Sequence, residues 1–92
     1  MSQEVVLEYG DRRLRATAMD VSERGMSVWA SGKAPLDPLR ITMAANNRPL
    51  ILSGQVAREF ESDGGSVWGI EFDAHEDTES WQILKAVIDA HR

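Results

Sequence analysis

The sequence predicts a mainly β fold: a small six-stranded antiparallel β-barrel with a C-terminal α-helix. Short runs that alternate apolar and polar residues recur between Glu4 and Asp73, and clusters of Gly, Asp, Asn and Pro separate them. From about Thr78 to His91 the apolar period changes to steps of three or four. At 92 residues and 42% hydrophobic content the core must be small and shared by every element, and closing the sheet hides both its apolar face and its edges. The expected layout is one domain over residues 1–92, with the barrel at about 4–73 and the helix at about 78–91.

Val5 to Tyr9 is a short strand of β-branched and aromatic character, ended by the turn residues Gly10 and Asp11. Leu14 to Asp20 and Met26 to Ala30 are the second and third strands, joined through Val21 to Gly25. Ser31 to Pro38 is a loop, and Leu39, Ile41 and Met43 share one face of a fourth strand. After Ala44 to Pro49, a long strand runs from Leu50 to Glu61. Leu50, Leu52, Val56 and Phe60 share its apolar parity, and Gly54 marks a bulge or bend. Ser62-Asp-Gly-Gly65 is a tight hairpin turn, and Trp68, Ile70 and Phe72 share a face of the sixth strand. In the helix, Trp81, Leu84, Val87 and Ile88 form one stripe, with Glu76, Asp77 and Glu79 near the N-terminal end and His91 and Arg92 at the other. That stripe is expected to pack on the barrel.

Composition excludes several chemistries. With no cysteine there is no disulfide, thiolate catalysis or cysteine-held metal, which suits a reducing cytoplasm. His75 and His91 lie far apart in sequence, so no metal site is expected. No apolar run reaches the roughly 18 residues of a membrane span, and the N-terminus lacks a secretory leader, so the expectation is a cytoplasmic protein without membrane insertion. A net charge of −5 repels nucleic-acid polymers, although local arginines overrule that sign for a small anion within a Debye length of roughly 8 to 10 Å. The serines lack a histidine at suggestive spacing, Ser62 to Gly65 lacks the lysine of a phosphate loop, and the carboxylates Glu59, Glu61, Asp63, Glu71 and Asp73 are scattered. No enzymatic activity is expected.

The stretch Asp20-Val-Ser-Glu-Arg-Gly25 carries the functional reading. Asp20 and Ser22 accept hydrogen bonds from nearby backbone N–H groups, and Gly25 suits a positive φ. Two further features stand beside it. Arg12, Arg13 and Arg15 either decorate the exposed face of the second strand or form an anion-binding patch. Trp29 is either core or a stacking surface for a ligand.

Strand, Asp-x-Ser-x-x-Gly hairpin, strand, and a later Gly69-Ile-Glu-Phe72 just ahead of a terminal helix together resemble the PilZ domain, a bacterial second-messenger module of the split-barrel type. The resemblance covers about residues 4 to 90. It implies that Asp20, Ser22 and Gly25 contact a guanine of cyclic di-GMP. A carboxylate accepts from guanine N1–H and N2–H, and a glycine lets the base approach the backbone. The family's second element, an Arg-x-x-x-Arg pair before the first strand, has no counterpart here: only Met1 to Gln3 precede Glu4, and no two of Arg12, Arg13, Arg15 and Arg24 stand four apart. Arg24, inside the hairpin, is the better-placed cation. Two readings follow. One is a regulatory adaptor that contacts a protein partner and binds cyclic di-GMP weakly or not at all. The other is a cyclic di-GMP receptor that uses Asp20, Ser22 and Gly25, helped by Arg24 or by arginines lent by a partner or a second copy.

Overall fold

The computed structural model describes residues 3–45, 47–73 and 78–90. Six strands, β1 (Gln3–Tyr9), β2 (Arg12–Val21), β3 (Gly25–Ala30), β4 (Leu39–Ala45), β5 (Arg48–Ser62) and β6 (Gly65–Phe72), precede one helix, α1 (Thr78–Ala90). The strands close into a barrel in the order β1-β2-β3-β6-β5-β4, with every neighbouring pair antiparallel. The expected barrel and helix are both present.

Alternation decides which side chains fill the interior. Val5, Leu7, Ala16, Ala18, Val28, Ile41, Leu50, Leu52, Trp68 and Ile70 all point inward and are buried. Trp68 is fully buried, and removing its surface from water contributes about 4 to 6 kcal/mol. Leu84, Val87 and Ile88 of α1 join this same core. Outward-facing Ile51 stays half exposed, so the helix packs on the inward-facing residues of β4 and β5 and covers a mouth of the barrel. His75, Glu76, Asp77, His91 and Arg92 lie outside the described residues, as do the side chains of Glu79 and Trp81.

Turn chemistry matches geometry at the β5–β6 hairpin, where Asp63 and Gly64 both have positive φ, the paired left-handed conformation that suits the strand twist. The long strand departs from expectation. Its irregularity falls between Val56 and Arg58, leaving Ala57 as an extra residue. That bulge reverses the parity, so Phe60, expected on the core face, lies outside and is 59% exposed. Gly54 is not the bulge. A Cβ there would fall on the Glu71 carbonyl oxygen, so its bare backbone serves the close approach of β6.

At one end of the barrel lie the β2–β3 turn and the start of β1, and at the other the β1–β2 turn, the loop at residues 31–38 and the β5–β6 turn. This second end is tied by polar contacts. Trp68 Nε1 donates to Ser66 Oγ at 2.8 Å, Ser66 Oγ donates to Gly32 O at 2.7 Å, and Ala34 N donates to Glu59 Oε2 at 2.7 Å. Trp29 Nε1 donates to Ser62 O at 2.9 Å. Its ring crosses the outer surface of β6 over Gly65, away from the β2–β3 turn and from any ligand held there.

Candidate functional site

The β2–β3 turn holds its shape through short-range bonds. Ser22 N donates to Gly25 O at 2.8 Å, Ser22 Oγ donates to the same oxygen at 3.3 Å, and Arg24 N donates to Ser22 Oγ at 3.3 Å. Ser22 thus acts as the turn former its spacing suggests. Arg24 O accepts from Phe72 N at 2.8 Å, which docks the turn onto β6. Gly25 does not take the positive φ expected of it. A Cβ there would fall on the Ile70 carbonyl oxygen, so glycine is required because β6 passes too close for a side chain.

Around this turn lies an open groove of about 740 Å³, lined by Asp20, Ser22, Arg24 and Gly25 together with Ser27, Arg58, Gly69 and Glu71. That volume falls within the range of small-molecule sites. All four sequence-derived candidates, Asp20, Ser22, Arg24 and Gly25, are brought together here. The structure adds Arg58, 34 positions beyond Arg24 in the chain and delivered by β5.

Register places these residues in a line on the outer surface. Asp20 pairs with Ser27, Ser27 with Gly69, and Gly69 with Arg58, so one row crosses β2, β3, β6 and β5. Among the described residues, no hydrogen bond or ion pair engages the Asp20 carboxylate or the Arg58 guanidinium. The groove's wider rim is acidic: Glu23, Glu71 and Asp73 join Asp20, against the two guanidiniums of Arg24 and Arg58.

Arg12, Arg13 and Arg15 do not join this site. Arg12 and Arg13 line a separate depression at the other end of β2 with Tyr9 and Lys33, about 25 Å from the turn by strand rise. Arg15 faces Glu4 across β1 and β2 at 4.0 Å, with both side chains largely exposed. On either reading the cluster stands apart from the groove at the β2–β3 turn. Among the described residues no group of three His, Asp or Glu is placed to hold a metal, and no helix is long and apolar enough to cross a membrane.

The family model for the PilZ domain matches residues 1–90. The crystal structure of the PilZ domain of CeSA from a cellulose-synthesizing bacterium is similar in fold, with a TM-score of 0.73 and 17% sequence identity over 99% of this chain and 93% of that one. No curated protein matches the chain.

Proposed function

The chain belongs to the PilZ domain family, and from that premise we propose that it is a non-enzymatic signalling module, a regulatory adaptor that acts through contacts with a protein partner and binds cyclic di-GMP weakly or not at all. The charge of the groove carries this reading. Cyclic di-GMP bears two phosphodiester charges, and among the described residues the rim offers four carboxylates against two guanidiniums. Like charges a few ångströms apart in a solvated groove cost about 1 kcal/mol per pair. Each charge-assisted hydrogen bond that Arg12 and Arg13 are too distant to make forgoes roughly 1.5 to 3 kcal/mol, and two or three such losses lower affinity by several powers of ten.

A second reading, an autonomous cyclic di-GMP receptor, is favoured by the row from Asp20 to Arg58, which sets an acceptor and a guanidinium at opposite sides of one groove. Calorimetric titration with cyclic di-GMP separates the two. The adaptor reading expects no saturable heat up to about 100 μM ligand; binding tighter than about 10 μM that Asp20→Ala abolishes overturns it.

A further inference from the structure

We infer that Arg58 is the phosphate-contacting cation of the hairpin groove, and that the β5 bulge at Ala57 serves to aim it there. The inference deepens the receptor reading of this groove and rests on it.

Strand parity is the starting point. Leu50, Leu52 and Gly54 are inward-facing and buried, so an unbroken β5 would turn Val56 and then Arg58 toward the core. Instead Val56 pairs with Ile70 and Arg58 pairs with the very next β6 residue, Gly69. Ala57 is the inserted residue, and it rotates Arg58 to the outer surface. A matching event occurs on β2. Ala18 pairs with Val28 and Asp20 pairs with Ser27, so Met19 is the inserted residue and Asp20 reaches the outer surface by the same device. Each bulge interrupts a hydrogen-bond ladder, and such interruptions re-aim side chains beside functional sites. Here two bulges on non-adjacent strands deliver an acid and a base to the two ends of one row.

The two residues between them are small. Ser27 and Gly69 are the two intervening residues. A Cβ on Gly69 would lie 3.5 Å from Arg58 Cβ and 3.7 Å from its Nε, so the Arg58 side chain leans across β6 toward the turn. Three strand spacings put the backbones of Asp20 and Arg58 about 14 Å apart, less what both side chains reach inward. A guanylate fits that span: its base edge donates N1–H and N2–H to a carboxylate, its ring lies flat on the small residues, and its phosphate takes the guanidinium fork. Arg58 is exposed and outside the core, so replacing it leaves the fold standing.

The test is a titration of isotope-labelled protein with cyclic di-GMP followed by amide chemical shifts, which reads dissociation constants up to about 1 mM. Wild type, Arg58→Ala, Arg58→Lys, Asp20→Ala and, as a control at the far end of β2, Arg13→Ala are compared, with thermal melts to verify folding. The expected result is that amides of residues 20–27 and 69–71 shift in wild type and Arg13→Ala. Arg58→Ala weakens binding at least about tenfold, and Arg58→Lys, which keeps the charge without the fork, recovers part of the loss. If wild type and Arg58→Ala bind alike while Asp20→Ala does not bind, the role of Arg58 is refuted and the receptor reading survives. Shifts confined to Arg12, Arg13 and Lys33 refute the groove as the site. No shift anywhere in wild type at about 1 mM ligand removes the receptor reading, and the inference with it.

Discussion

The groove at the β2–β3 turn and the groove at the β5–β6 turn are nearly equal in size, about 740 and 730 Å³, yet they use their polar groups in opposite ways. At the β5–β6 end, Glu59 holds the Ala34 amide, Ser66 links Trp68 to Gly32, and Ser62 O accepts from Trp29. These groups are consumed in fastening the loop at residues 31–38 and the outer surface of β6. At the β2–β3 end the turn closes on itself through Ser22, while Asp20 and Arg58 face outward without an intramolecular partner among the described residues. Groove size therefore says little about where a ligand binds. What distinguishes a site from a seam is whether its hydrogen-bonding groups are already satisfied by the chain itself.

The largest expected effect lies beneath the fastened end. Trp68→Ala removes the biggest fully buried side chain among the described residues and leaves Ser66 Oγ without its indole donor, with an expected destabilisation of about 3 to 5 kcal/mol in urea unfolding. A loss below about 1 kcal/mol would mean that the barrel interior is not packed around this ring. At the open end the counterpart is Gly25→Ala. Its methyl group would fall on the Ile70 carbonyl oxygen, so β3 and β6 must separate there, at a cost of about 3 kcal/mol. Gly69→Ala, in the same groove, meets only ordinary van der Waals contact with Arg58 and is expected to stay within about 0.5 kcal/mol of wild type. Measured side by side, the two glycine variants tell whether the turn or the floor carries the rigidity of the groove.

Ser66→Ala is the intermediate case and probes the comparison directly. Ser66 is buried, accepts from Trp68 Nε1 and donates to Gly32 O, so its removal strands a buried indole N–H and loosens the loop at residues 31–38. The expected loss is about 1 to 3 kcal/mol, accompanied by faster amide exchange in that loop and unchanged exchange at the β2–β3 turn. Equal effects at both ends would erase the distinction between a fastened groove and an open one.

The barrel was legible because alternation and turn chemistry are local. Val5 to Tyr9, Leu39 to Met43 and the Asp63-Gly64 turn carry their structure in adjacent residues. The two bulges were not read, since Met19 and Ala57 have no turn signature of their own. A trace of them existed nonetheless: counted inward from Ala16 and Ala18, Asp20 falls on the core side, and counted from Leu50 and Leu52, so does Arg58. A charge at core parity implies either a buried ion or a slipped register, and the slip is the cheaper of the two. Unbroken alternation puts Phe60 inside and leaves Arg58 out of the site. Gly25 and Gly54 were misread for a different reason. Their constraint is a carbonyl oxygen on β6, 45 residues beyond Gly25 (Ile70) and 17 beyond Gly54 (Glu71), and no local pattern reports it.

Arg15 supplies the smallest effect and the cleanest control. It lies on β2 and lines neither groove, facing Glu4 at 4.0 Å with 82% and 68% of the two side chains exposed. An ion pair so open to water gains little Coulomb energy beyond the entropy lost in holding two long side chains together, so a double-mutant cycle through Arg15→Ala and Glu4→Ala is expected to give a coupling below about 0.5 kcal/mol. That coupling should vanish near 1 M salt, where the Debye length falls to about 3 Å. Arg15→Ala should also leave any cyclic di-GMP titration unchanged. A loss of affinity there matching that of Arg58→Ala would show that diffuse positive charge on the barrel governs the ligand, and that the row joining Asp20 to Arg58 does not.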